Sequence, residues 1–332
     1  MKVRLLLSAV FSRLPLSAEI KEKLKCFIKT YILRTQEKKR KINIYSRKLK
    51  KHNVANPKKV SVVILSYNYA DYISERIDSV LLQTYPLYEI IILDDCSRDN
   101  SVDVIKRKIR KAKHKNIRLI ENDKNSGSVF AQWKKAFESA SGDYIWIAEA
   151  DDSCNAKFLE TLIRYFDDEE VVIAHCETLM MDSRNNVIME DLREWIDFFK
   201  SGKWEESYIA QGVDELCSTM CINNTIANAS GVVMKNGDYR SILEIASTFT
   251  LAGDWYFYTK ILERGKLAYH KESLNYYRYH EKGITLTVDK EREYQEICRI
   301  QDEVMRSNSI SNEVANMISQ RREEVRNRLG IQ

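Results

Sequence analysis

At 332 residues, 44% hydrophobic and 30% charged, the chain is long enough for one large domain or two small ones with a buried core. Its seven cysteines are odd in number and scattered, with neither a Cys-x-x-Cys pair nor a Cys/His zinc spacing, which argues against a disulfide framework or zinc module and fits a reducing cytoplasm. The net charge of +5 conceals an asymmetry: residues 1–59 carry 18 Lys/Arg against three Glu, so the rest of the chain is acidic.

No apolar stretch approaches the roughly 18 residues of a membrane-spanning helix, and the short apolar run Leu5–Phe11 only faintly imitates a signal peptide. Ile20, Leu24, Phe27, Ile28 and Tyr31 share one side of a helix whose other side is filled with lysines. Such a helix suits an anionic membrane surface, and Lys38–Lys41 and Arg47–Lys51 extend the charge; packing on the protein's own body is the plainer alternative. Nucleic acid is a poorer partner, because no recognised binding module accompanies the basic runs.

After Asn56-Pro57 the pattern becomes strand, loop, helix, repeated. Val60–Leu65 ends in Ser66-Tyr67-Asn68 and leads to a helix through Ile73, Ile77 and Val80; Glu89–Leu93 ends in Asp94-Asp95 and leads to a helix through Val102 and Ile105. Ile117–Ile120, a helix around Phe130–Ala140 and the run Tyr144–Ala148 follow. This alternation predicts an α/β fold with a mainly parallel, Rossmann-like sheet flanked by helices, which places ligands at the carboxyl ends of the strands.

Two of those ends carry clustered carboxylates, Asp94-Asp95 and Glu149-x-Asp151-Asp152. One Asp per strand end is adequate as a helix cap; this many exceeds capping. Neighbouring carboxylates repel unless a cation compensates, and Mg²⁺ or Mn²⁺ does so with substrate phosphates completing its shell. Neither a P-loop nor a Gly-x-Gly-x-x-Gly turn is present, so a metal must hold the phosphates.

The ordered segments "VSVVILSYNYADYISERIDSVLLQTYP" (60–86), "IIILDDCSRDNS" (90–101), "GDYIWIAEADD" (142–152), "GDWYFYTKILERGKLAYH" (253–270) and "YYRYH" (276–280) resemble the inverting family 2 glycosyltransferases of GT-A fold. The resemblance implies that Ser66, Tyr67, Asp94 and Asp95 hold the nucleotide of a nucleotide-sugar, usually a UDP-sugar. It implies that Glu149-x-Asp151 is the metal motif, with Asp151 in direct contact, Glu149 reaching ribose or metal, and His280 completing the site. Asp152 matches a commonly acidic position that also suits a helix cap. Where relatives carry Arg-Asn this chain has Gln132-Trp133, so either Lys134 substitutes or the donor pocket differs; Arg278 is a further candidate for phosphate.

Asp254 matches the family's general base and opens a helix, where the positive N-terminus is expected to lower its pKa. Its plainer reading is a cap. Trp195, Phe198, Phe199, Trp204 and Tyr208 suit either an acceptor groove or a core, and Ala229–Val233 reads as a strand at the floor of the site. The expected organisation is a basic arm (1–56), a nucleotide-sugar half (57–180), a smaller acceptor half (181–285) and C-terminal helices (286–332). The activity expected is metal-dependent inverting transfer to a glycan or lipid-linked acceptor, extending a surface polysaccharide at the inner face of a membrane. A nucleotidyltransferase and a non-catalytic binding module are the competing readings.

Overall fold

A computed structural model describes residues 40–45, 49–112, 114, 116–197, 200–281, 283 and 289–331. The run Val60–Ser66 forms strand β1, buried along its whole length, as a strand covered on both faces requires of its sequence. Then come α1 (Ile73–Leu81), β2 (Glu89–Asp94), α2 (Ser101–Lys111), β3 (Ile117–Glu121), α3 (Val129–Ser139) and β4 (Tyr144–Glu149). β1 pairs in parallel with β2 and β4, and β2 with β3, so the predicted strand–helix repeat builds a parallel half-sheet.

The chain continues through β5 (Ser153–Cys154), α4 (Phe158–Ile163), β6 (Val171–Asp182), β7 (Val187–Met189), β8 (Tyr208–Gln211), β9 (Val232–Lys235), α5 (Arg240–Ala246), α6 (Gly253–Leu262) and β10 (Lys266–Tyr279). It closes with α7 (Lys290–Ser307) and α8 (Asn312–Leu329). The sheet order is β3-β2-β1-β4-β9-β6-β10-β5, with β7 beside β6 and β8 beside β10. β9 runs antiparallel to both β4 and β6. One sheet therefore passes through both halves suggested by the sequence, and β6 itself crosses position 180. Register shifts after His270 and Ser273 bend β10, and its far end pairs with β5, delivering Arg278 and the following His280 to the loop after β4.

The faces of the sheet are filled differently. One side packs Ile73, Ile77, Trp146 and Phe158, the other an aromatic set including Trp133, Trp255, Phe257 and Tyr258. Each such side chain contributes about 1.5–3 kcal/mol by leaving water. Trp133 meets Phe257 edge to face at 5.6 Å, which anchors α3 to α6 and hence one wall of the site to the other.

The predicted basic helix over Ile20–Tyr31, with Lys38, Lys39, Arg47 and Lys48, lies outside the described residues. Residues 40–45 pack on the body: Ile42 is buried against Leu179, Met181 and Tyr276, and Lys41 bridges to Asn186. Among the described residues no helix is long and apolar enough to cross a membrane, and the cysteines are free thiols.

Candidate active site

Parallel register places the strand ends side by side. Ser66 lies opposite Asp94, and Leu65 opposite Glu149. Asp94 is buried and turns back on its own loop, accepting from the Ser97 amide at 2.8 Å and the Ser97 hydroxyl at 2.7 Å. Asp95 gathers the next loop: it accepts from Asn122 (2.6 Å), Asn125 (3.0 Å), the Ser126 hydroxyl (2.8 Å) and Gln132 (2.9 Å). Gln132, where relatives were expected to carry Arg, thus serves Asp95. Asn68 and Cys96 bend their loops with positive φ, 58° and 63°. Tyr67 is exposed at the rim, while the buried Ser66 hydroxyl has no hydrogen-bond partner among the described residues.

The stretch after β4 is held from below by two arginines. Arg76 of α1, wholly buried, donates from Nε to the Glu149 carbonyl at 2.8 Å and lies over the Trp146 ring at 5.5 Å. Its charge favours ionisation of both Glu149 and Asp152. Arg278, also buried, donates from Nε to the Asp151 carbonyl at 2.6 Å, stacks over Tyr72 at 5.0 Å and pairs with Glu75 at 3.2 Å. Its amide donates to Asp152 at 2.9 Å. The guanidinium expected to face phosphate is therefore turned inward and shapes the loop. Arg76 was missed from sequence, yet it carries a signal: it shares the inward stripe of α1 with Ile73 and Ile77, where a charge needs a buried partner.

His280, itself buried, places Nε2 2.9 Å from Asp151 Oδ2, and Tyr69 bonds the same carboxylate. Tyr69 and Tyr72 wall the imidazole at 5.8 and 4.9 Å between ring centres. Glu149 is different: burial first, then the charges of Asp151 and Asp152, push its carboxyl up to about 8. The Asp151 carboxylate and His280 imidazole bring an O and an N donor together, a set that fits Mn²⁺ or Mg²⁺ taking its remaining ligands from phosphate and water. Among the described residues no three His, Cys, Asp or Glu side chains are assembled as a metal cage.

Asp254 is the second residue of α6 rather than its cap. Its carboxylate accepts from the Trp255 amide at 2.7 Å and neighbours the Asn224 amide at 3.5 Å. The pKa expected to fall at a helix N-terminus is instead raised to about 6, because burial outweighs the amides that stabilise the anion. The Tyr258 hydroxyl is buried without a partner among the described residues and feels the charge of both Asp254 and Glu149. The Trp133 indole N–H is buried beside the Glu149 carboxyl and favours its ionised form. The Ser66 and Tyr258 hydroxyls are buried polar atoms that a polar ligand could satisfy.

Other expectations resolve differently. Lys134 lines a separate exposed cleft with Asp143 and Asp238, near the amino end of β4, and does not replace the missing Arg. Ala229–Gly231 is a single turn leading into β9, but it does floor the site: the Ser230 hydroxyl accepts from the Glu149 amide at 3.0 Å. Trp204 is buried and Tyr208 packs on Tyr269 at 5.5 Å, so both belong to the core; Phe198 and Phe199 lie outside the described residues.

Residues 61–224 match the family described as "Glycosyl transferase family 2". The chain is 40% identical over 110 residues to a poly(ribitol-phosphate) beta-glucosyltransferase of Bacillus spizizenii, covering 32% of this chain and 17% of that protein. Its fold is similar to S. aureus TarS 1-349 in complex with UDP-GlcNAc (TM-score 0.58, 15% identity, covering 81% of this chain and 73% of that one). It is also similar to the Pyrobaculum calidifontis mannosyltransferase PcManGT in complex with GDP-Man and Mn²⁺ (TM-score 0.55, 18% identity, 82% and 74%).

Proposed function

We propose that this chain, which belongs to glycosyl transferase family 2, moves a sugar from a nucleoside-diphosphate sugar, of the UDP type, to a hydroxyl of a glycan or lipid-linked acceptor with inversion. One observation supports the reading: Asp151 meets His280 at 2.9 Å in the loop after Glu149, and the buried Tyr258 hydroxyl, without a partner among the described residues, feels the charge of both Glu149 and Asp254. In-line displacement needs the departing diphosphate on one side of the sugar and a group that takes the acceptor's proton on the other.

Each residue has a task. The Ser66–Tyr67 loop and Asp95 hold base and ribose, the rim Tyr67 offering a flat face and Asp95 an acceptor for N–H or O–H. Asp151 and His280 hold the divalent cation, which when bound takes up charge on the diphosphate. Asp254, with a pKa near 6, is ionised at neutral pH and basic enough to accept the acceptor's proton as the new bond forms. Glu149 and Tyr258 sit between, where a sugar's hydroxyls would find donors and acceptors. The Bacillus spizizenii relative is named a poly(ribitol-phosphate) beta-glucosyltransferase, which supports a polymer as acceptor, and the basic arm supports work at the inner face of a membrane.

The test is a transfer assay over a panel of UDP- and GDP-sugars with Mn²⁺, the product's anomeric configuration read by NMR. Inverted product from a UDP-sugar supports the reading; retention, or release of a nucleoside monophosphate, overturns it.

A further inference from the structure

Helices α7 and α8 lie beyond the stretch that matches the family, residues 61–224, yet they reach both loops that meet at Asp254. Glu296 of α7, only 7% exposed, accepts the backbone N–H groups of Thr250 (2.6 Å), Leu251 (2.9 Å) and Ala252 (3.0 Å). These amides lead directly into α6, whose cap residue Ala252 has no side-chain acceptor of its own. A task that Ser or Asp performs within most helices is here performed from another helix.

The second loop is held in the same way. Gln301, fully buried, donates to the Ile222 carbonyl at 2.9 Å, and Arg321 of α8 donates to Asn223 Oδ1 at 3.3 Å. The next residue is Asn224, the side-chain neighbour of Asp254. Arg322 of α8 donates to Gln301 Oε1 at 2.8 Å, so the two helices act as one body.

We propose that the C-terminal helical hairpin is part of the catalytic apparatus, with Glu296 the positioning residue that holds the Asp254 carboxylate in line with the acceptor. The inference rests on Asp254 being the base. Three bonds to one carboxylate fix the entry to α6 more firmly than packing would, and a reacting group displaced by about 1 Å can lose about a hundredfold in rate. The charged or ionisable groups acting on Asp254 are Glu296 from α7 and Tyr258 from α6, opposed by the amides of Trp255 and Asn224; Arg292 lies 3.3 Å from Glu296.

The experiment uses the full chain, Mn²⁺ and whichever UDP-sugar the wild type transfers, comparing Glu296→Gln with Glu323→Gln. Glu323 is an exposed residue of α8. Glu296→Gln is expected to lower kcat about tenfold or more with unchanged UDP affinity. It should also move the acid limb of the rate profile to lower pH, because a negative charge near Asp254 is gone. Glu323→Gln should leave kcat and the limb in place. A folded Glu296→Gln with wild-type kcat and limb overturns the inference alone; a wild type that binds UDP but transfers nothing overturns the reading of Asp254 with it. Should Glu296→Gln not fold, Gln301→Met, which releases the other loop without removing a charge, should lower kcat with the acid limb in place, and normal kcat there is equally contrary.

Discussion

His280 Nε2 and Asp151 Oδ2 lie 2.9 Å apart although 129 positions separate them in the chain. The bend in β10 makes that meeting possible. If the pair holds a cation, His280→Ala weakens Mn²⁺-dependent nucleotide binding, by about 10- to 100-fold on the scale of lost metal-site partners. Titration of Mn²⁺ at fixed UDP measures it, and an unchanged Mn²⁺ requirement would remove His280 from the metal site.

Arg76 is the buried counter-charge under the same loop. Replacing it by Met removes its bond to the Glu149 carbonyl and its attraction for Asp152, and losing a buried charged donor of this kind costs about 1.5–3 kcal/mol. Chemical denaturation should show a loss of that order for Arg76→Met and a smaller one for Arg76→Lys, which keeps the charge but not the bond to the Glu149 carbonyl.

Asp254→Asn should abolish transfer and leave UDP affinity nearly intact, since its task is to take the acceptor's proton and not to hold the nucleotide. Loss of both together would mark a structural residue instead.

The stability of that variant has a sign. The folded pKa of Asp254, about 6, lies above its ordinary value of 3.8, so the folded state binds this proton more tightly than the unfolded chain. Wild-type stability from this group therefore falls as pH rises from about 4 to about 6 and stays lower above it. Asp254→Asn should melt higher than wild type at pH 7.5, by about 1–2 kcal/mol after allowing for solvent screening, and the gain should vanish near pH 4.

The same value sets the rate. With Asp254 as base, kcat/KM should fall about tenfold per pH unit below pH 6, read with saturating Mn²⁺. A flat profile down to pH 5 would point to another base.

Much of this was legible in the sequence because it is local. The run Val60–Leu65 has the uniform β-branched character of a strand buried on both faces, and the acidic residues after β2 and β4 stand where a parallel sheet must present them. Arg278 was read as a phosphate ligand because sequence gives residue type but not direction; only the register of β10 against β6 shows that it points beneath the loop. Asp254's pKa was placed on the wrong side of normal because the helix N-terminus is visible in sequence and the burial around it is not. Glu296 and Gln301 gave no local signal, as their partners are backbone atoms of loops roughly 45 and 79 positions away.

The most direct measurement is calorimetric titration of UDP into the full chain with and without Mn²⁺, for wild type and Asp151→Asn. The account predicts binding that depends on Mn²⁺ and is lost in the variant. Binding that is equally tight without Mn²⁺, or that survives in folded Asp151→Asn, would contradict it and return the carboxylates after β4 to a purely structural role.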